Sequence, residues 1–139
     1  MSFKFLPHTA DTKIIAEGVS LEKAFVESAM ALKEVIADKI KIKSKTTKEI
    51  RVEGKDRESL LLEFLQEFLY FVDAENFVLS KIEKLEIKKA KTKLSLYAKI
   101  TGDKASNYNF TNEVKAVTYN EMLIKEEKNK TTIQFVLDV

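Results

Sequence analysis

The chain has 139 residues, 45% hydrophobic and 33% charged, with 24 Lys+Arg against 22 Asp+Glu and a formal net charge of +2. That profile fits one soluble domain, residues 1–139, with a self-sufficient core and a heavily charged surface. With no cysteine and one histidine, disulfides, thiolate metal sites and thiol nucleophiles are excluded, and a multi-histidine zinc site within one subunit is excluded with them. A near-balanced charge neither demands nor forbids a nucleic-acid partner, because a binding patch depends on how the charge is distributed.

The predicted elements run as follows. Phe3–Leu6 is a short strand ended by Pro7, residues 8–11 form a turn, and residues 13–17 resume as a strand broken by Gly18. Ser20 then suits an N-cap, since its hydroxyl can accept from a free first-turn amide. Leu21, Ala24, Phe25, Ser28, Ala29, Leu32, Val35 and Ile36 recur at helical spacing, predicting an amphipathic helix over Leu21–Ala37. Residues 39–48 are lysine-rich and read as a loop with a ragged strand inside, followed by a strand at 49–54 that stops at Gly54. Asp56 can cap a second helix over Arg57–Ala74. Its polar stripe is only Glu63, Gln66, Glu67 and Tyr70, so it should be buried on most sides.

The rest reads as β: strands at 77–88, 93–101, 114–124 and 131–137, with turns at 88–92 and 128–130 and a polar loop at 102–112. The order β-β-α-β-α followed by four strands gives the fold class α+β, a mostly antiparallel sheet packed with two amphipathic helices. No run approaches the roughly 18 apolar residues of a membrane span. No basic stretch followed by an apolar run marks a secretory signal, so a cytoplasmic protein without a membrane partner is expected.

Few motifs carry chemistry. Gly18, Gly54 and Gly102 are isolated, so neither a P-loop nor a dinucleotide fingerprint is present, and no serine sits in a nucleophile elbow. An enzyme of the common cofactor or hydrolase classes is not expected. Two acidic marks lie near the ends, Asp11 and Asp138. If the first and last strands pair, these aspartates and the terminal carboxylate of Val139 share one small volume, where carboxylates repel unless a cation sits among them. Oxygen-only ligands suit a hard ion such as Ca²⁺ or Mg²⁺. From spacing alone the plainer account is favoured: two unrelated surface aspartates, one in a turn and one at a fraying end.

Other residues have similarly divided readings. His8 reads as a hydrogen-bonding anchor of the turn more readily than as a catalyst. Lysines concentrate at 81, 84, 88, 89, 91 and 93, and again at 39, 41, 43, 45 and 48. They could form a phosphate-binding surface, but interleaved Glu83 and Glu86 favour a solvated, lysine-protected edge. Lys115 lies between apolar strand residues and by alternation shares a face with Val117 and Tyr119. It is either a solvent-side position or a charge offered to the acidic pair or a partner.

Four segments in order resemble the archease family: His8-Thr9-Ala10-Asp11, then Phe64-Leu65-Gln66-Glu67-Phe68-Leu69-Tyr70-Phe71-Val72-Asp73, then Glu113-Val114-Lys115-Ala116-Val117-Thr118-Tyr119, and the closing Phe135-Val136-Leu137-Asp138-Val139. The resemblance spans essentially the whole chain. It implies an accessory protein, not itself an enzyme, for the tRNA-splicing RNA ligase that joins a 2′,3′-cyclic phosphate or 3′-phosphate end to a 5′-hydroxyl. Such a protein promotes GTP-dependent guanylylation and multiple turnover of the ligase, with tRNA an indirect partner through it. The resemblance also implies a divalent metal, Ca²⁺ with Mg²⁺ or Mn²⁺ as substitutes, held by Asp11, Asp138 and Val139, and a functional role for Lys115. The chain departs from the family at Asn120, where many members carry histidine, and in its 102–112 loop. The alternatives are an RNA-binding module acting through the lysine-rich hairpin and a chaperone-like interaction protein.

Overall fold

The computed structural model describes residues 2–6, 11–110 and 113–139. His8 therefore lies outside the described residues. The strands are β1 (Ser2–Leu6), β2 (Asp11–Gly18), β3 (Thr46–Gly54), β4 (Phe77–Lys89), β5 (Leu94–Lys104), β6 (Ala116–Glu127) and β7 (Lys130–Asp138); the helices are α1 (Leu21–Ala37) and α2 (Arg57–Ala74). The expected element order and α+β class hold. The strands divide into two antiparallel sheets, ordered β1-β2-β7-β6 and β3-β5-β4.

Both helices begin where side-chain chemistry allows. Ser20 Oγ accepts from the Lys23 amide at 3.2 Å. Asp56 accepts from the Ser59 amide at 2.8 Å while the Ser59 hydroxyl returns to the Asp56 backbone, closing a capping box. Such a cap satisfies amides that have no partner within the helix. That hydrogen bonding also holds the Asp56 carboxyl below its ordinary pKa, the Ser59 amide contributing most.

α1 buries Ala24, Phe25, Ala29 and Leu32, and α2 buries Leu60, Leu61, Phe64, Leu65, Phe68 and Phe71. Each helix touches strands of both sheets. One continuous apolar core therefore joins them, from Ile14, Ile133 and Phe135 on one side to Ile50, Leu96 and Ile100 on the other. Its aromatic spine runs from Phe25 to Phe64 (5.9 Å between ring centres), to Phe68 (5.0 Å), and then through Phe71 to Phe77. Fully burying one such side chain is worth about 1.5–3 kcal/mol. The narrow polar stripe expected on α2 is present, since Glu63, Gln66 and Tyr70 are exposed.

Three local readings need correction. The strand placed at 49–54 begins at Thr46, because residues 46–48 pair with 100–102 of β5. The loop placed at 102–112 starts later: β5 continues through Gly102 and Asp103 to Lys104, and only then does a short 3₁₀ turn follow at Ala105–Asn107. Asp103 is buried and accepts from the Tyr108 hydroxyl at 2.7 Å and the Lys104 amide at 2.8 Å, closing the turn onto the strand. A polar residue in sequence here is a buried, fully engaged one in the fold. Lys115 does not share a strand face with Val117 and Tyr119. It precedes the first residue of β6 and is exposed, Val117 is buried, and Tyr119 lies where β6 has left its register with β7.

A candidate carboxylate site at one end of the four-stranded sheet

The decisive pairing is β2 against β7. These two strands, from opposite ends of the chain, run antiparallel in the register Asp11↔Asp138, Thr12↔Leu137, Lys13↔Val136 and onward to Gly18↔Thr131. Residues directly opposite in a ladder project to the same face. Asp11 and Asp138 therefore stand side by side on the face away from the core, since Ile14, Ala16, Ile133, Phe135 and Leu137 on the other parity are buried. On the far side of β7, Ala116 pairs with Asp138, and the Lys115 amide donates to the Asp138 carbonyl at 2.7 Å. The chain places Asp11, Asp138, Val139 and the Lys115 backbone within one sheet end. Asp11 and Asp138 are half-buried, and Lys115 and Val139 are exposed.

The rest of this face is shaped by an irregularity in β6. Its register with β7 passes from Thr118↔Val136 to Leu123↔Gln134, so Tyr119–Met122 stand against a single β7 residue. An insertion of that kind bends the strand and re-aims its side chains. Glu121 takes φ 57°, a left-handed conformation uncommon outside glycine. Two contacts hold it there: its carbonyl accepts from Gln134 Nε2 at 2.8 Å, and its carboxylate meets Lys13 Nζ at 2.8 Å. Lys13 is two residues from Asp11 on the same face, so the bulge is tied to the strand that carries the candidate ligand. Val136, also on this face, is almost fully buried. Tyr119 and Leu123 remain 54% and 62% exposed. Nothing in the periodicity announces the bulge; its one sequence signal is the polar pair Asn120-Glu121 within an otherwise strand-like run.

Two adjacent carboxylates are a fragment of a cation site rather than a full shell. Among the described residues no group of three or more His, Cys, Asp or Glu is arranged to hold a metal. The donor set of Asp11, Asp138 and main-chain oxygen of Val139 suits a hard ion chemically, but a Ca²⁺ ion takes six to eight oxygens. The remainder would come from water or from a second protein.

The chain is thus a two-sheet α+β protein whose second and last strands pair to set two carboxylates side by side, and its relatives are specific. The Archease protein family (MTH1598/TM1083) model matches residues 3–139. The chain is 33% identical to "Protein archease" of Methanosarcina mazei over 139 residues, covering 99% of this chain and 95% of that one. It is 41% identical to "Protein archease" of Pyrococcus abyssi over 121 residues, 86% of this chain and 84% of that one. The solution structure of Methanobacterium thermoautotrophicum protein 1598 superposes with a TM-score of 0.84 at 31% identity, covering 99% of this chain and 98% of that one. A Thermotoga maritima crystal structure, described as an archease and possible chaperone, shares the fold at TM-score 0.62 and 18% identity, covering 98% and 96%. This chain belongs to the archease family.

Proposed function

We propose that this protein is an accessory factor that activates the RNA ligase of tRNA splicing, promoting its GTP-dependent guanylylation and multiple turnover. The reading rests on family membership across residues 3–139. The observation that best supports it is the register pairing of Asp11 with Asp138. Like charges set directly opposite on adjacent strands are unfavourable, an arrangement a bound cation would reverse. When bound, a divalent ion, Ca²⁺ with Mg²⁺ or Mn²⁺ as substitutes, would supply positive charge and open coordination positions at the protein surface. Asp11 and Asp138 would hold it through their carboxylates and Val139 through main-chain oxygen. Lys115, exposed and tied to Asp138 by its backbone amide, would present its ammonium beside that site. An incomplete ligand shell suits a protein whose partner completes it. Exposed Tyr119 on the adjoining bulge and Leu123 at its far side give that part of the sheet an apolar rim for protein contact.

The test is ligation with the splicing ligase limiting. Addition of this protein should convert a single turnover into sustained product formation. Equal product with and without it would remove the proposed role.

A further inference from the structure

The three-stranded sheet has a face that neither helix covers. On the inner side Ile50, Leu96, Ala98 and Ile100 are buried against the core. The outer side is a grid set by the registers of β3, β5 and β4: Thr47, Thr101 and Lys81; Glu49, Lys99 and Lys84; Arg51, Tyr97 and Glu86; Glu53, Ser95 and Lys88. The grid holds five basic and three acidic side chains. Each carboxylate has a local partner: Glu86 is bound by Lys84 at 2.8 Å, Glu53 by Lys93 at 2.7 Å, and Glu49 accepts the Tyr97 hydroxyl.

Protection of the sheet edge accounts for lysines on β4, an edge strand, but not for Lys99, which stands exposed on the central strand. Lys99 is moreover the register partner of Lys84, a like-charge opposition that costs stability. At the centre of the grid the Arg51 guanidinium lies 4.5 Å from the Tyr97 ring centre. That pair lines a shallow groove of about 600 Å³ together with Glu53, Glu86, Lys88 and Ser95. The second lysine cluster is built differently. Lys48 pairs with Glu75 at 2.7 Å and lies over the Phe71 and Phe77 rings, roofing the core.

We propose that the outer face of the three-stranded sheet binds single-stranded polynucleotide, with Lys81, Lys84, Lys88 and Lys99 facing phosphates and the Tyr97–Arg51 pair stacking a base. Lys81 stands one row, about 7 Å, from the Lys84–Lys99 row, on the scale of successive phosphates in an extended single strand, and Lys88 stands two rows further on, beyond the Arg51–Tyr97 row. An open sheet carrying a central aromatic among cations is how sequence-tolerant single-strand binding is achieved. An acidic peptide would use the lysines but leave the stacked pair without a role. The inference is independent of the ligase reading, since the site lies on the other sheet.

The full chain is titrated into a fluorescently labelled 15-nucleotide RNA, the same sequence as DNA, a 15-base-pair duplex and polyglutamate, at several salt concentrations. Binding to either single strand, weakening with salt, is expected, with the duplex and polyglutamate far weaker. Lys84→Thr/Lys99→Thr should make the salt slope shallower by about 1.4, because each phosphate contact on a single strand contributes about 0.7. Tyr97→Leu should weaken binding about 5- to 160-fold while Tyr97→Phe retains it. All these positions face solvent, so melting temperatures should confirm folded variants, and Asp11→Ala should bind RNA like wild type. Equal competition by polyglutamate, preference for the duplex, or an unchanged salt slope in the double lysine variant would overturn the proposal.

Discussion

Gly102 should not tolerate a methyl group. It sits inside β5, paired with Thr46 on one side and Leu79 on the other, and its carbonyl accepts from the Lys45 amide at 2.8 Å. A Cβ built there would lie 2.1 Å from the Val78 carbonyl oxygen and 2.6 Å from the Phe77 ring. The first is backbone of the neighbouring strand and the second a buried ring of the core, so neither yields without disturbing the sheet. Over-packing of this kind costs about 1–3 kcal/mol, occasionally more. Unfolding entropy of about 2.1 cal/mol/K per residue gives about 0.29 kcal/mol/K for this chain. Gly102→Ala should therefore lower the melting temperature by about 3–10 °C. The sign is the sharper part. In an open strand position alanine outperforms glycine by about 0.5–1 kcal/mol, which would raise the midpoint by about 2–3 °C. Thermal unfolding followed by circular dichroism decides between them, and a midpoint at or above wild type would refute the close approach of β4 to Gly102.

Three further outcomes follow from the same packing. Phe64→Ala removes a fully buried ring that touches both Phe25 and Phe68, and should cost about 3–5 kcal/mol in urea titrations; a loss under 1 kcal/mol would contradict its central place. Asp56→Ala removes the capping box of α2 and should cost about 1 kcal/mol, seen as a drop of about 3 °C, whereas Asp56→Asn should recover most of it. Asp103 is held below its ordinary pKa, first by the Tyr108 hydroxyl and then by the Lys104 amide. Its contribution is therefore complete above the ordinary aspartate pKa of about 4 and is lost as the pH falls through the lower folded value. Between pH 6 and 3 the urea midpoint of Asp103→Asn should fall less steeply than that of wild type, and parallel curves would remove the residue from the acid limb.

Much of this architecture was legible because it rests on local chemistry. Helix spans were set by apolar spacing and by two caps, Ser20 and Asp56, whose side chains act within three residues. Strand existence followed from alternation. What alternation could not reveal depended on partners distant in sequence. β5 runs on through Gly102 and Asp103 because β4 and the Tyr108 turn satisfy them. The β6 bulge exists because Lys13 and Gln134 hold Glu121. Lys115 left its expected face because the strand starts at Ala116, two residues later than alternation placed it. Division of the strands into two sheets is likewise a matter of which strands meet across the helices, and no single segment encodes it.

The candidate site divides along the same line. Asp11 and Asp138 stood out as acidic marks near the two ends, and spacing alone favoured leaving them unrelated. The β2–β7 ladder makes them neighbours. Charge patterning found the lysine hairpin, but the Tyr97–Arg51 stack and the exposed central Lys99 emerge only when β3, β5 and β4 are laid side by side.

The proposed activating function rests on the Asp11–Asp138 pair. It is tested most directly by following formation of the covalent guanylylated ligase from labelled GTP in the presence of Ca²⁺, Mg²⁺ or Mn²⁺, comparing wild type with Asp11→Ala. Calorimetry on the same samples would establish that both are folded. Wild type should accelerate guanylylation and gain thermal stability from the metal, and the folded variant should do neither. A folded Asp11→Ala protein that stimulates the ligase as well as wild type would contradict it.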